Sequence, residues 1–273
     1  MWLRLERAYP PNGEALPPDS GGMLHNSQRP GTTARSTYAR VRRPEVCSMP
    51  ENPVELPPHV RCRRFLLSGL APGHVVLDVG CGTGELMSEA ADRGCSVEGV
   101  EIARPLVESC RAAGLRVSEG RAEHLPVPDA SVDAILCSVV IPYTDERKAI
   151  AEWARVLRPG GFVNATYHGI GYGLSHLTRR AGLKERIYGL RMLANTAVYG
   201  LTGRRLPGFL GDTLCQSRGR LRPSYRSVGL DLRSEQVVET CMGVPVFLCH
   251  RLEKPLADFR TRSQMAAPSP ASP

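Results

Sequence analysis

The residues best placed to do chemistry lie in one run, Val75-Val76-Leu77-Asp78-Val79-Gly80-Cys81-Gly82-Thr83-Gly84, and in an acid further along, Glu101. The run is an apolar strand feeding a glycine-rich turn that opens a helix. Glycine lets the backbone turn sharply and approach a ligand that a Cβ would exclude. In an open α/β sheet such a turn lies at the carboxyl ends of the strands, where ligands bind. Glu101 ends the next strand, where a carboxylate can accept hydrogen bonds from both hydroxyls of a ribose. The pair therefore points to a nucleoside ligand.

Two nucleoside ligands fit that description, a dinucleotide or S-adenosylmethionine, and the spacing separates them. Dinucleotide binding wants G-x-G-x-x-G, but position 85 is Glu. The pattern here is D-x-G-x-G-x-G, and it lacks the Lys-Ser/Thr of a phosphate-binding P-loop. Asp78 would repel a pyrophosphate, whereas a carboxylate near a sulfonium, or one receiving an amino group, is electrostatically favourable.

The surrounding segments alternate strand and helix. Strands are predicted over His74–Val79, Cys95–Val100, Leu115–Ser118, Val132–Val140 and Phe162–Tyr167. Helices are predicted over Glu85–Arg93, from Pro105 to Gly114, and over Asp145–Leu157, the last with Trp153 on its core face. This rhythm predicts an α/β fold with a parallel sheet covered on both faces. The chain has 273 residues, 42% of them hydrophobic, enough for one large domain or two small ones. No run approaches the roughly 18 apolar residues of a membrane span. The nine cysteines are dispersed without a C-x-x-C pair. That pattern suits buried thiols in a reducing, cytoplasmic setting and no metal site.

Three blocks together resemble class I S-adenosylmethionine-dependent methyltransferases, nearest the type 11 branch. They are Asp78–Gly84, Gly120–Asp133 (Gly-Arg-Ala-Glu-His-Leu-Pro-Val-Pro-Asp-Ala-Ser-Val-Asp) and Arg155-Val156-Leu157-Arg158-Pro159-Gly160-Gly161. Val237–His250 resembles the closing antiparallel strand pair of the same fold. The resemblance implies a doubly wound, mostly parallel seven-stranded sheet and S-adenosylmethionine as cofactor. It implies that Gly80, Gly82 and Gly84 line the cofactor's amino-acid part and sugar, that Asp78 shapes the loop, and that Glu101 holds the ribose. Ala122 and Glu123 fall where the adenine edge is read, and Ser138 faces the methionine end. Arg121 replaces the usual adenine-reading Asp and cannot accept a hydrogen bond.

Methyl transfer from a sulfonium is an in-line displacement with a good leaving group. Orientation alone can supply about 7–11 kcal/mol, so a general base is optional. Tyr143 and His168, just past the fourth and fifth strands, are the candidate catalytic residues, with His124 and His176 behind them. Residues 58–168 are the expected core and 169–227 an inserted helical cap. Residues 228–254 supply the closing strands. Residues 1–57, with ten of the 23 prolines up to Pro58, and 255–273 are expected to be disordered. An organelle transit peptide, or a true start at Met49, are alternatives for the first segment. The stretch Ile187, Leu190, Leu193, Ala194, Ala197, Val198 and Leu201 reads as a lid helix before a membrane-surface helix.

The net charge of +8 is uneven: +4 over 1–74, −5 over 75–168 and +9 over 169–273. The expected activity is methylation of a small quinone-like or natural-product-like acceptor. The alternatives are an RNA methyltransferase and a non-catalytic methyltransferase-like binding subunit. No aromatic-rich basic stripe or Asn/Asp-Pro-Pro-Tyr signature supports the former, and the intact glycine motif argues against the latter.

Overall fold

The computed structural model describes residues 56–179 and 182–256. The expectations for the terminal arms lie almost wholly outside these residues. The elements run α1 (Pro58–Leu66), β1 (Val75–Val79), α2 (Glu85–Asp92), β2 (Ser96–Glu101), α3 (Arg104–Ala112), β3 (Val117–Glu119), β4 (Val132–Ser138), α4 (Glu146–Val156) and β5 (Leu157–His168). After β5 come α5 (Ile170–Thr178), α6 (Leu183–Thr202), α7 (Arg218–Ser227), β6 (Asp231–Cys241) and β7 (Val244–Glu253). Short 3₁₀ turns occupy Ile141–Tyr143 and Gly208–Gly211.

The seven strands form one sheet in the order β3-β2-β1-β4-β5-β7-β6, with β7 antiparallel to its neighbours and the rest parallel. Strands covered on both faces read as continuous apolar runs, as Val75–Val79 does. One face buries Ile150, Trp153, Leu221 and Tyr225 against Leu77, Ile135 and Tyr167. The other buries Met87, Ala90, Val107 and Cys110 against Val76, Ala134 and Leu136. Asp145 caps α4, accepting from Lys148 N. The hairpin joining β6 to β7 turns at Met242 and Gly243, both with positive φ, as a two-residue hairpin turn requires.

Two of the sequence blocks staple the fold together. Arg155 pairs with Asp129 and Glu152 at 2.7 Å each. Asp133 accepts from Val75 N at 2.8 Å and from Arg158 Nη1 at 2.8 Å, joining β4 to β1 and β5. The segment expected as a cap divides in two. Its last part, α7, supplies Leu221 and Tyr225 to the main core, so it belongs to the sheet's helical layer. Its first part, α5, follows β5 directly and packs on α6 and β7.

Candidate functional site

β1 ends at Val79, and the chain turns at Gly80, Gly82 and Gly84 with φ of +71°, +56° and +78°. A side chain there is strained, and at Gly80 and Gly84 a Cβ would fall on the Val140 and Leu115 side chains. The turn is tied to β2: Gly80 N donates to Val100 O at 2.7 Å, and Gly82 N to Glu101 Oε2 at 3.0 Å. Glu101 Oε1 accepts from the N–H groups of Ile102 and Ala103 at 2.9 Å each. Holding the turn is thus a task of Glu101 that spacing alone did not reveal. Holding ribose hydroxyls would be a second task of the same carboxylate.

Asp78 is 1% exposed, and neither carboxylate oxygen has a hydrogen-bond partner among the described residues. Burial, reinforced by the nearby Glu101 charge, raises its pKa from 3.8 to about 7. An unpaired buried carboxylate is costly. A ligand bringing a cation and hydrogen-bond donors would satisfy it, and the amino-acid end of S-adenosylmethionine carries both. The donor set therefore fits the cofactor implied by the resemblance.

The remaining expected residues have partners of their own. Ala122 is buried. Glu123 accepts from Asp145 N at 3.0 Å, holding the start of α4, and lies 3.7 Å from Arg121. Ser138 ends β4 in register with Thr166, a buried hydroxyl that the sequence reading passed over. Val139 follows with φ of +59°, an outlier for a β-branched residue and the kind of strain that collects at functional sites.

Tyr143 and His168 do come together, their rings 6.5 Å apart and edge-on. His168 stacks on Tyr172 at 3.6 Å, and Phe247 lies 5.7 Å away. Tyr172 leads on to His176 at 4.8 Å and Tyr188 at 5.0 Å beyond it. Burial, with the nearby His176, lowers the His168 pKa to about 3. The imidazole is therefore neutral at physiological pH and poorly matched to general-base work. His124 is exposed, away from this cluster.

Sequence reasoning missed Tyr172, Tyr188 and Phe247. Nothing local in the sequence marks them: His168 meets Tyr172 past the end of β5 and Phe247 across the pairing of β5 with β7. It also missed Arg205, which donates to the carbonyls of Pro142 and Thr144 and so clasps the Tyr143 turn to the cap. Among the described residues no group of three or more His, Cys, Asp or Glu could hold a metal.

Residues 77–164 match the methyltransferase domain family. An uncharacterized methyltransferase of Mycobacterium tuberculosis is 42% identical over 88 residues, 32% of this chain and 36% of that one. A tRNA (carboxymethyluridine(34)-5-O)-methyltransferase of Arabidopsis thaliana is 35% identical over 121 residues, 40% of this chain and 30% of that one. The chain thus spans about a third of the length of these relatives. A solved S-adenosylmethionine-dependent methyltransferase of Methanosarcina mazei shares the fold with a TM-score of 0.54 at 20% identity, covering 69% of this chain and 95% of that one. Residues 77–164 thus match a methyltransferase domain, and the strand order and glycine turn around them have the methyltransferase fold.

Proposed function

We propose that the protein transfers a methyl group from S-adenosylmethionine to a small organic acceptor, with S-adenosylhomocysteine as the second product. The observation that carries this reading is the buried carboxylate of Asp78, without a hydrogen-bond partner among the described residues, beside the glycine turn that Glu101 holds. Gly80, Gly82 and Gly84 would line the cofactor's amino-acid part and sugar, with Asp78 facing its cationic end and Glu101 its ribose. Ala122 and Glu123 would border the adenine, and Ser138 the methionine end. When bound, S-adenosylmethionine supplies a methyl group on a positively charged sulfur.

The chain's own contribution is placement and exclusion of water. Tyr143 and His168 sit together on the acceptor side, under α5. His168 is neutral there, so it can position an acceptor by hydrogen bonding without competing for its proton. Tyr143, Tyr172 and Phe247 gather around His168, and their ring faces would suit a planar or apolar acceptor. Orientation in such a site is worth about 7–11 kcal/mol, which a displacement with a good leaving group can use directly.

Calorimetry with S-adenosylhomocysteine tests the cofactor assignment. Binding is expected to the wild type, with none to Gly82→Arg. Equal affinity in both proteins would refute it. Cell extract incubated with labelled methyl donor, read by mass spectrometry, tests the acceptor class. Label appearing in RNA alone would overturn the small-molecule reading.

A further inference from the structure

Helix α6 buries one face and leaves an apolar stripe exposed on the other. Gly189, Met192 and Asn195 face inward, Gly189 lying close enough to Gly173 and His176 of α5 that a Cβ would collide. The opposite face carries Leu183, Ile187, Leu190, Ala194, Ala197 and Leu201, a 4-3-4-3-4 spacing that keeps all six in one stripe. All six are exposed, with Leu183 at 73%, Leu190 at 62% and Leu201 at 88%. The next turn adds Phe209, 60% exposed, whose ring is held 3.8 Å over the Arg191 guanidinium. Arg191 is in turn fixed by Asp212 at 3.0 Å. Phe209 is thus an exposed aromatic fixed beside the helix through Arg191.

Charge decides what fits the stripe. Lys184 and Arg186 flank the first turns of the stripe, and Arg204 follows its end, all exposed. The helix has one acid, Glu185, half-buried with its carboxylate turned toward Gly182. A second copy laid along the stripe would set cations against cations in the parallel and the antiparallel orientation alike, with no carboxylate on the face to pair with them. A surface that is apolar below and anionic above satisfies both features. No helix among the described residues is long and apolar enough to cross a membrane, so the contact is one of lying on the bilayer.

We propose that α6, with the Gly208–Gly211 turn, docks the protein on an anionic lipid bilayer, the helix lying in the headgroup plane. Because α5 follows His168 directly and packs on α6, this contact would put the acceptor side of the strand ends close to the bilayer.

Vesicle flotation of the full chain tests this without reference to catalysis. The probes are phosphatidylcholine vesicles, alone and with about 30% phosphatidylglycerol. Binding is expected to the anionic vesicles only, weakened by salt. It should fall about tenfold or more in Ile187→Glu/Leu190→Glu and in Lys184→Ala/Arg186→Ala. Both pairs are solvent-facing, so thermal melts should match the wild type. Should the Glu pair fail to fold, Ile187→Ser/Leu190→Ser carries the same test. Absence of binding, equal binding to neutral vesicles, or binding unchanged by the apolar substitutions would overturn the proposal. So would a dimer in sedimentation equilibrium that the same substitutions split, since the face would then belong to a second copy.

Discussion

Replacing Asp78 by Asn removes a charge that the fold buries at a cost. The carboxyl titrates near 3.8 in an unfolded chain and near 7 in the folded one. Between those values the native state holds a proton that the unfolded state has lost, so stability falls as pH rises from about 4 to about 7. At about 1.4 kcal/mol per unit, the difference approaches 4 kcal/mol once the pH is above 7. Asn cannot ionise, so its contribution has no such slope. The buried amide costs about 1–3 kcal/mol where it lacks partners. The variant should therefore be at or below wild-type stability near pH 4 and more stable by about 1–3 kcal/mol at pH 8. His168 and His250, whose pKa values burial lowers to about 3 and about 4, contribute a slope of opposite sign. Present in both proteins, they cancel in the difference. The assay is urea unfolding of the ligand-free proteins from pH 4 to 8, followed by tryptophan fluorescence, for which buried Trp153 is a reporter. S-adenosylhomocysteine, which keeps the ammonium group, should stabilise the wild type at pH 8 and the variant far less. Parallel stability–pH curves for the two proteins would refute the assignment of a buried, ligand-facing charge to Asp78.

Glu101→Ala should lower the melting temperature as well as the affinity for S-adenosylhomocysteine, because three backbone N–H groups lose their acceptor at about 1–3 kcal/mol for each left unsatisfied. Loss of affinity with unchanged stability would show that Glu101 does not hold the turn. The His168 ring nitrogens, followed by NMR, should report a neutral imidazole down to pH 4, below which the protein gains a proton there. A midpoint near 6.5 would place His168 in contact with solvent. Were RNA the acceptor, its affinity should fall steeply with added salt; a salt-insensitive or absent interaction would retire that alternative.

Much of the fold was legible because its signals are local. The apolar run Val75–Val79 ending in glycines, Pro105 at the start of α3 and Asp145 at the start of α4 each act within a few residues. The observed bounds differ from the expected ones by a few residues at most elements. The larger shifts are in β6, which begins at Asp231, ahead of Val237, and in β5, which takes in the Pro159-Gly160-Gly161 turn by pairing with β4 and β7. The assignment of residues 218–227 to a cap went the other way. Leu221 and Tyr225 fill the core, and Arg220 pairs with Glu146 at 2.8 Å. Burial of three side chains in ten is enough to place a helix, and composition averages that away.

The sequence by itself determined the strand–turn–helix unit, the pairing of a glycine turn with an acid one strand away, and the methyltransferase domain that they resemble. Those features depend on backbone conformation and on spacing along the chain. Only the tertiary structure decided that Glu101 first serves the backbone of the turn, that Asp78 is left without a partner among the described residues, and that His168 is a neutral ring stacked on Tyr172. It also showed which face of α6 is buried. These properties come from desolvation and from contacts between residues far apart in sequence, such as His168 with Phe247, and no local pattern encodes them.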